Sequence, residues 1–272
     1  MNKYRHVINI GIQNTLVYRM NFLFRSAFSL VPLFATISLW RAVYSGKADP
    51  AADGPAIAGY SLAQMISYYL VMTIVDSLTA VTEDDWQIAA DIKDGNISQF
   101  LLKPIDYLTY RLCLYFSGRV VFTLCAIVPV TIFILCHRAY FQVPADAATW
   151  VAFSVSVVLT GLLQFFISYT MALLAFWVLE VSTFIFILFA IEYIAGGHLF
   201  PIDILPPTAQ QLLLYTPFPY QLFFPVNIYL GRVTGPSLGL GLLVQFLWVV
   251  AAYLLARVVW ARGAKKYSAV GG

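Results

Sequence analysis

Six long apolar runs, separated by polar segments, dominate the pattern of the 272-residue chain. A helix needs roughly 20 mainly apolar residues to cross a bilayer, because each backbone amide must find its partner within the segment. The runs therefore predict an all-α polytopic membrane protein with six transmembrane helices in a single membrane domain, 1–272. The predicted spans are 22–44, 56–81, 112–135, 150–177, 181–195 and 236–260, of which the fifth is short for a full crossing.

Residues 1–21, ahead of the first span, are amphipathic at helical spacing. One face gathers apolar and small residues, namely Tyr4, Val7, Ile8, Gly11, Ile12 and Tyr18. The opposite face is polar and consists of Arg5, His6, Asn9 and Gln13. The pattern predicts an interface helix that lies along the membrane surface, with a solvated tail as the alternative.

The loop 82–110, between the second and third spans, contains two short helical patterns. The first consists of the acidic residues Glu83, Asp84 and Asp85, the apolar residues Trp86, Ile88, Ala89 and Ile92, and the helix-ending Gly95. The second pattern covers 96–102, with Ser98 as its predicted cap and Pro104 as its end. The apolar face of these helices needs a partner, which is the bilayer surface, the ends of the spans or another protein.

The segment 196–230, after the fifth span, is strongly apolar but cannot form one long helix. Gly196 and Gly197 release the fifth span, and six prolines interrupt the residues that follow. Irregular backbone of this kind survives at membrane depth only where protein buries it. The segment predicts short re-entrant helices, with a plain extracellular loop as the alternative.

Two carboxylates lie within predicted spans, where lipid disfavours charge. The helical stripe of Asp76 contains Met65, Tyr69 and Met72. The stripe of Glu192 contains Ile185, Leu188 and Phe189. Intramembrane carboxylates usually face a bundle interior or a cavity, which makes both residues candidates for a translocation path. The alternatives are a structural partner or a position near a membrane surface, cytoplasmic for Asp76 and outer for Glu192.

Composition and charge agree with a membrane protein. Hydrophobic residues make up 61% of the chain and charged residues only 11%, against about a quarter charged in soluble domains. Of the 16 Lys and Arg residues, 12 fall on one side of the six spans, whereas Arg41, Lys47, Arg138 and Arg232 fall on the other. Because positively charged flanks stay in the cytoplasm, both termini are predicted to be cytoplasmic.

Motifs for nucleotide binding, catalysis and metal binding are absent from the sequence. There is no GxxxxGK[ST], HExxH or GxSxG, so the chain does not bind ATP phosphates by itself. Asp76, Glu180 and Glu192 are too scattered along the chain to predict an enzyme site. The histidines His137 and His198 are predicted on the outer side, isolated from one another. The cysteines fall in one apolar stretch and predict neither disulfides nor a metal site: Cys113, Cys125 and Cys136.

The run DIKDGNISQFLLKP resembles the segment that follows the second span in permeases of type-2 ATP-binding cassette (ABC) exporters. In that family a cytoplasmic coupling helix in this loop docks on the ATPase. The resemblance assigns this role to Ile88, Asp91, Ile92, Lys93, Asp94 and Gly95. It assigns the translocation path, at the interface of two permeases, to Tyr69, Met72, Asp76, Phe189 and Glu192. It assigns the outer gate to Gly196, Gly197, Phe200 and Pro201.

The resemblance also implies the partners and the location. It implies cassette ATPase subunits that carry ATP and Mg²⁺, a second permease of the same or a paralogous chain, and the cytoplasmic membrane of a bacterium. The chain itself would be no enzyme and would hold no cofactor or metal. It would help to export an amphipathic or hydrophobic substrate. An ATP-independent transporter or channel, and a membrane-embedded enzyme that modifies lipids, are the alternatives.

Overall fold

The computed structural model describes residues 2–17, 19–45, 57–81 and 84–267. Within these residues the chain forms helices and turns without a β-strand, apart from an isolated bridge between Ile57 and Tyr60. The predicted all-α class is therefore confirmed. Tyr18, Glu83 and the loop 46–56 lie outside the described residues.

Twelve α-helices follow one another along the described part of the chain. They are α1 (Asn2–Val17), α2 (Arg19–Phe28), α3 (Leu30–Ser45), α4 (Leu62–Thr79), α5 (Asp84–Lys93), α6 (Ile97–Leu101), α7 (Tyr107–Cys136), α8 (Ala147–Ala172), α9 (Ser182–Ala195), α10 (Pro207–Leu214), α11 (Phe223–Tyr229) and α12 (Gly235–Lys266). Three short 3₁₀ turns cover Leu173–Phe176, Ile202–Ile204 and Phe218–Gln221. The central helix is α8, which packs against α4, α5, α11 and α12.

Five helices in the described residues are long and apolar enough to cross a membrane. They are Met20–Ser45, which combines α2 and α3, Leu62–Thr79, Tyr107–Cys136, Ala147–Phe176 and Gly235–Lys266. The predicted fifth span corresponds to α9, whose 14 residues extend only about 21 Å. A bilayer's hydrocarbon core is about 30 Å thick. The multi-pass architecture agrees with the prediction, and the count of six spans stays a prediction.

Side-chain caps set the ends of the spans where the apolar pattern alone did not. Helix α4 begins later than predicted, because Ser61 just ahead of it forms a capping box with Gln64 in its first turn. Helix α7 begins earlier than predicted, because the Asp106 side chain accepts a hydrogen bond from the backbone N–H of Thr109 at 3.1 Å. Polar caps thus override the hydrophobic boundary at both helices.

The loop between α4 and α7 contains the two predicted short helices, α5 and α6. Gly95 ends α5 as predicted, with a φ of 78° that favours glycine. The predicted Ser98 cap is wrong, because Asn96 occupies the cap position of α6. The Ser98 hydroxyl instead donates to the Gly95 carbonyl oxygen at 2.7 Å.

The amphipathic helix α1 packs along α7 rather than standing apart from the bundle. Gly11 allows the closest approach, since a Cβ atom there would lie 2.9 Å from the Cβ of Ser117. The Ser117 hydroxyl donates to the carbonyl oxygen of Ile8 at 3.2 Å. The residues of the predicted polar face are all exposed, namely Arg5, His6, Asn9 and Gln13. Gly11 is buried in this contact, while the other described residues of the apolar face are half-buried or, at Ile8, exposed. The packing of α1 on α7 argues against a free solvated tail, and the position of α1 along the membrane surface stays a prediction.

We call the end of the bundle that carries α5 the lower end, and the opposite end the upper end. The Lys3 ammonium donates to the Pro104 carbonyl oxygen at 2.7 Å, beside the start of α7. At the other terminus, the Tyr267 hydroxyl donates to the Gly95 carbonyl oxygen at 3.1 Å. Both described termini therefore lie at the lower end. Their placement on the cytoplasmic side of the membrane stays a prediction.

The segment between α9 and α12, residues 196–234, enters the bundle, and we call it the dipping segment. Its 3₁₀ turn contains Tyr220, whose carbonyl oxygen accepts hydrogen bonds from Gln245 of α12 at 2.8 Å and from Thr160 of α8 at 3.3 Å. Each donor lies well inside its helix, about 15–20 Å from the upper end at 1.5 Å per residue. Protein buries this turn and α11, as the re-entrant prediction requires. The membrane depth of the segment stays a prediction.

Two glycines of α12 provide a matched test of how closely α12 approaches α11. A Cβ atom at Gly241 would lie 2.3 Å from the buried ring of Phe224, whereas a Cβ at Gly239 meets open space. Alanine is the better helix former, so Gly239→Ala is expected to stabilise by roughly 0.5–1 kcal/mol. Gly241→Ala is expected to destabilise by about 1–2 kcal/mol, because Phe224 must move. Thermal unfolding of both variants in one detergent measures the difference, and equal shifts would contradict the close approach.

Candidate functional site

An ion pair links α4 to the residues that follow α9. The imidazole Nε2 of His198 lies 3.3 Å from Oδ1 of Asp76. The turn at Gly197, with a φ of 91°, brings the chain back toward α4 after α9 ends. The His198 ring also stacks on Tyr193, with 5.6 Å between ring centroids. The sequence does not predict this contact, because no periodic pattern connects residues so far apart in the chain.

The second membrane carboxylate, Glu192 of α9, binds the dipping segment. Its Oε1 accepts a hydrogen bond from Nε2 of Gln221 at 3.0 Å. Gln221 is buried at the end of the 3₁₀ turn that Gln245 holds from α12. Glu192 and Asp76 line one cavity, and their depth in the membrane stays a prediction.

This cavity has a volume of about 90 Å³ and lies between α4, α8, α9 and the dipping segment. Its polar lining consists of Asp76, Gln164, Ser168, Glu192, His198 and Gln221. A larger cavity of about 310 Å³ adjoins it and shares Asp76, Ala80, Tyr193 and His198 as lining residues. We call the two the small cavity and the large cavity.

All five residues predicted for the translocation path line one of the two cavities. Tyr69 and Met72 line the large cavity, Phe189 and Glu192 line the small one, and Asp76 lines both. The geometry thus brings together residues that sequence analysis had placed on two separate helices. Their role in transport stays a prediction.

The residues predicted for the outer gate form the turn above the cavities. The Gly197 carbonyl oxygen accepts a hydrogen bond from the Tyr68 hydroxyl at 2.7 Å. A Cβ atom at Gly197 would lie 2.6 Å from that hydroxyl, so the position has no room for a side chain. Gly196 and Pro201 are buried and Phe200 is half-buried. The neighbouring Tyr69 hydroxyl donates to the Leu199 carbonyl oxygen at 2.8 Å. Consecutive tyrosines of α4 thus fix the turn, and its gating role stays a prediction.

At the lower end, the predicted coupling residues divide into two groups. Ile88 and Ile92 are buried against this chain's own α8 and the adjoining 3₁₀ turn. Lys93 and Asp94 are exposed. Of the three partners that the sequence left open, the span ends cover the apolar face of α5. A partner protein would meet the exposed polar residues.

Asp91 and Gly95 tie the α5 segment to the spans. One carboxylate oxygen of Asp91 accepts a hydrogen bond from the Tyr107 hydroxyl at 2.7 Å and lies 3.7 Å from the Arg111 guanidinium. The Gly95 carbonyl oxygen accepts from Tyr267, next to the end of α12. These contacts connect α5 with both α7 and α12.

Several ionisable side chains lie near the exposed side of α5, on the lower surface of the bundle. Glu180, in the turn before α9, is fully exposed and accepts hydrogen bonds from Ser182. These hydrogen bonds, together with the positive charge of nearby Lys93, lower the pKa of Glu180. At the start of α5, burial raises the pKa of Asp85. The lower surface therefore presents mixed charges around Lys93 at neutral pH.

In the described residues, no group of three or more His, Cys, Asp or Glu side chains could hold a metal ion. The sequence matches a family model described as ABC-2 family transporter protein, over residues 30–271. Among curated proteins, none matches the chain. The family match covers every helix from α3 to α12, and therefore the whole lining of the small cavity and that of the large cavity except Arg25 and Ser29.

Proposed function

Because the chain belongs to the ABC-2 transporter family and is thus a permease subunit of a type-2 ABC transporter, we propose that it serves an ATP-driven exporter. Two permeases, identical or paralogous, meet in the membrane, and a cassette ATPase docks below each. The ATPases hold ATP and Mg²⁺. The substrate is amphipathic or hydrophobic and leaves the cytoplasm along a path lined by α4 and α9.

The observation that carries this proposal is the connection of α5 to several spans at once. Asp91 ties α5 to α7, and Tyr267 ties its end to α12. The Trp86 ring packs edge-on against Phe186 of α9, with centroids 5.8 Å apart. A displacement of α5 by a docked ATPase therefore moves span ends rather than a free loop.

The same displacement reaches the cavities by a short route. Helix α5 follows α4 in sequence, and α4 carries Asp76 near its lower end. Helix α9, which Trp86 contacts, carries Glu192. Movement of α4 against α9 changes the small cavity, where these two carboxylates lie. This sequence of contacts is the mechanism by which ATP binding would open the path.

A second permease fits the exposed surface of α9. This helix is apolar, yet Phe186 and Phe189 are 64% and 61% exposed. In a single chain lipid alone would cover them, whereas a partner permease would cover them with protein and complete the path. The exposure supports the paired arrangement.

The lower surface supplies the test of ATPase docking. Lys93→Glu reverses an exposed charge on α5, and Arg138→Glu makes the same change at an exposed position of the upper end. Co-purification with a cassette ATPase is expected to weaken about tenfold for Lys93→Glu and to stay unchanged for Arg138→Glu. If the intact chain never associates with such an ATPase, or if both variants behave alike, the proposal fails.

One observation favours a second candidate, a membrane-embedded enzyme that acts on lipids. The sequence placed the membrane carboxylates too far apart for an enzyme site, but the fold brings Asp76, Glu192 and His198 to one cavity. A carboxylate beside an imidazole is an arrangement that general acid–base catalysis uses. Lipid turnover by the purified chain without an ATPase would favour this candidate over the exporter.

A further inference from the structure

We infer that the small cavity binds the cationic group of the transported substrate, a protonated amine or a quaternary ammonium. The inference rests on the proposed function, because it names the class of substrate that the path takes. It concerns the lining of one cavity and not the coupling to ATP.

The charge of the cavity lining favours a cationic ligand. The ionisable side chains that line the small cavity are Asp76, Glu192, His198 and Tyr193. With both carboxylates ionised, their sum is −2 when the imidazole is neutral and −1 when it is protonated. Negative charge within a membrane domain is costly, and a bound cation offsets it. The cationic side chains Arg25 and Arg119 line the large cavity, which also includes Asp76. Glu192 lines only the small cavity and, among the described residues, has no arginine beside it there.

Two oxygen atoms of described side chains that line the cavity lack a hydrogen-bond donor. Gln164 of α8 is only 9% exposed, and its Oε1 has no hydrogen-bond partner among the described residues. Oδ1 of Asp76, although 3.3 Å from His198, also makes no hydrogen bond. Buried oxygen acceptors of this kind are rare without a ligand, an ion or water to satisfy them. An ammonium group offers N–H donors to both, and a quaternary ammonium offers its charge.

The aromatic part of the lining favours an organic cation over a metal ion. Phe189 and Tyr193 of α9 line the cavity, with their ring centroids 6.0 Å apart. Aromatic faces attract alkylammonium groups through cation–π interactions. The lining side chains do not form a group of three that could hold a metal. The lining therefore matches an organic cation.

Size decides which part of the substrate enters. A volume of about 90 Å³ holds an ammonium head group or a few waters, but not a whole drug-sized molecule. The adjoining cavity of about 310 Å³ has an apolar side, with Leu33, Met72 and Phe122, beside the polar side that Arg25 and Arg119 line, and the apolar side suits an apolar tail. The two cavities together fit an amphipathic cation whose head lies between Asp76 and Glu192.

Selective binding by the unmodified full chain provides the first test. The chain is placed in phosphatidylcholine nanodiscs, and binding of radiolabelled hexyltrimethylammonium is measured against empty nanodiscs. Unlabelled hexyltrimethylammonium is expected to displace the label at least about tenfold better than hexanol or hexanesulfonate, which carry the same tail. Equal displacement by the three compounds would overturn the inference.

Variants locate the site. Asp76→Asn and Glu192→Gln each remove one charge with little change of shape and are each expected to weaken binding about tenfold. Glu180→Gln removes an exposed charge outside the cavity and is expected to bind like the unmodified chain. Unchanged affinity in both cavity variants would place the cation elsewhere and overturn the inference. The assay contains no ATPase and no nucleotide, so failure to associate with an ATPase would sink the exporter proposal and leave this result standing.

Discussion

Replacing Gln245 by methionine is expected to lower the free energy of unfolding by about 2–4 kcal/mol. The Gln245 amide lies fully buried in α12 and donates to the Ser156 carbonyl, the Thr160 hydroxyl and the Tyr220 carbonyl at 3.1, 3.1 and 2.8 Å. Its Oε1 accepts from the Ser156 hydroxyl at 2.9 Å. Methionine keeps the length of the side chain and loses all four hydrogen bonds.

Thermal unfolding in detergent measures this effect, with an expected fall in Tm of roughly 5–10 °C. Gln99→Met is the matched control, since Gln99 is an exposed residue of α6. An unchanged Tm for Gln245→Met would mean that the buried amide does not anchor the dipping segment. Because Gln221 follows Tyr220 directly and binds Glu192, loss of the anchor is also expected to disturb the small cavity.

Replacing Asp91 by alanine is expected to separate ATP hydrolysis from transport in the assembled complex. The change removes the hydrogen bond with Tyr107 and the contact with Arg111, while the exposed residues Lys93 and Asp94 remain available for docking. Helix α5 would then move without carrying α7. Transport is expected to fall about tenfold, within the usual range of coupling free energies between sites.

Reconstituted complexes provide both measurements, substrate flux and ATP hydrolysis, on one sample. Asn96→Ala changes an exposed residue of the same loop and is the control for general disturbance. Tyr107→Phe removes the same hydrogen bond from the other side, and it is expected to reduce flux in the same direction. Loss of ATPase association in Asp91→Ala would show instead that Asp91 contacts the partner directly.

Local signals in the sequence predicted the α5 segment and the span cores well. The sequence predicted α5 from acidic residues that precede an apolar stripe, and it predicted the end of α5 from Gly95, which follows that stripe. These signals work because helix caps and stripes involve residues within one or two turns of each other. The predicted Ser98 cap failed because neighbouring Asn96 supplies an equally acceptable start, and sequence alone does not rank them.

The composition of the cavities could be predicted only in part. Asp76 and Glu192 stood out because charge is rare in apolar spans. Gln164, Gln221 and His198 gave no comparable signal, since an amide or imidazole in an apolar run has several structural roles. Their convergence depends on how the segment after α9 folds back, and prolines predict where a helix stops but not where the chain goes next.

The contact between α1 and α7 has a consequence for synthesis of the chain. The Ile8 carbonyl and the Ser117 hydroxyl that binds it are separated by 109 residues. At usual translation rates, those residues take roughly 5–20 s to make. During that interval the apolar face of α1 has no α7 to cover it, although α1 has already left the ribosome. The membrane interface accommodates such a face, so α1 can wait there until the third span inserts beside it.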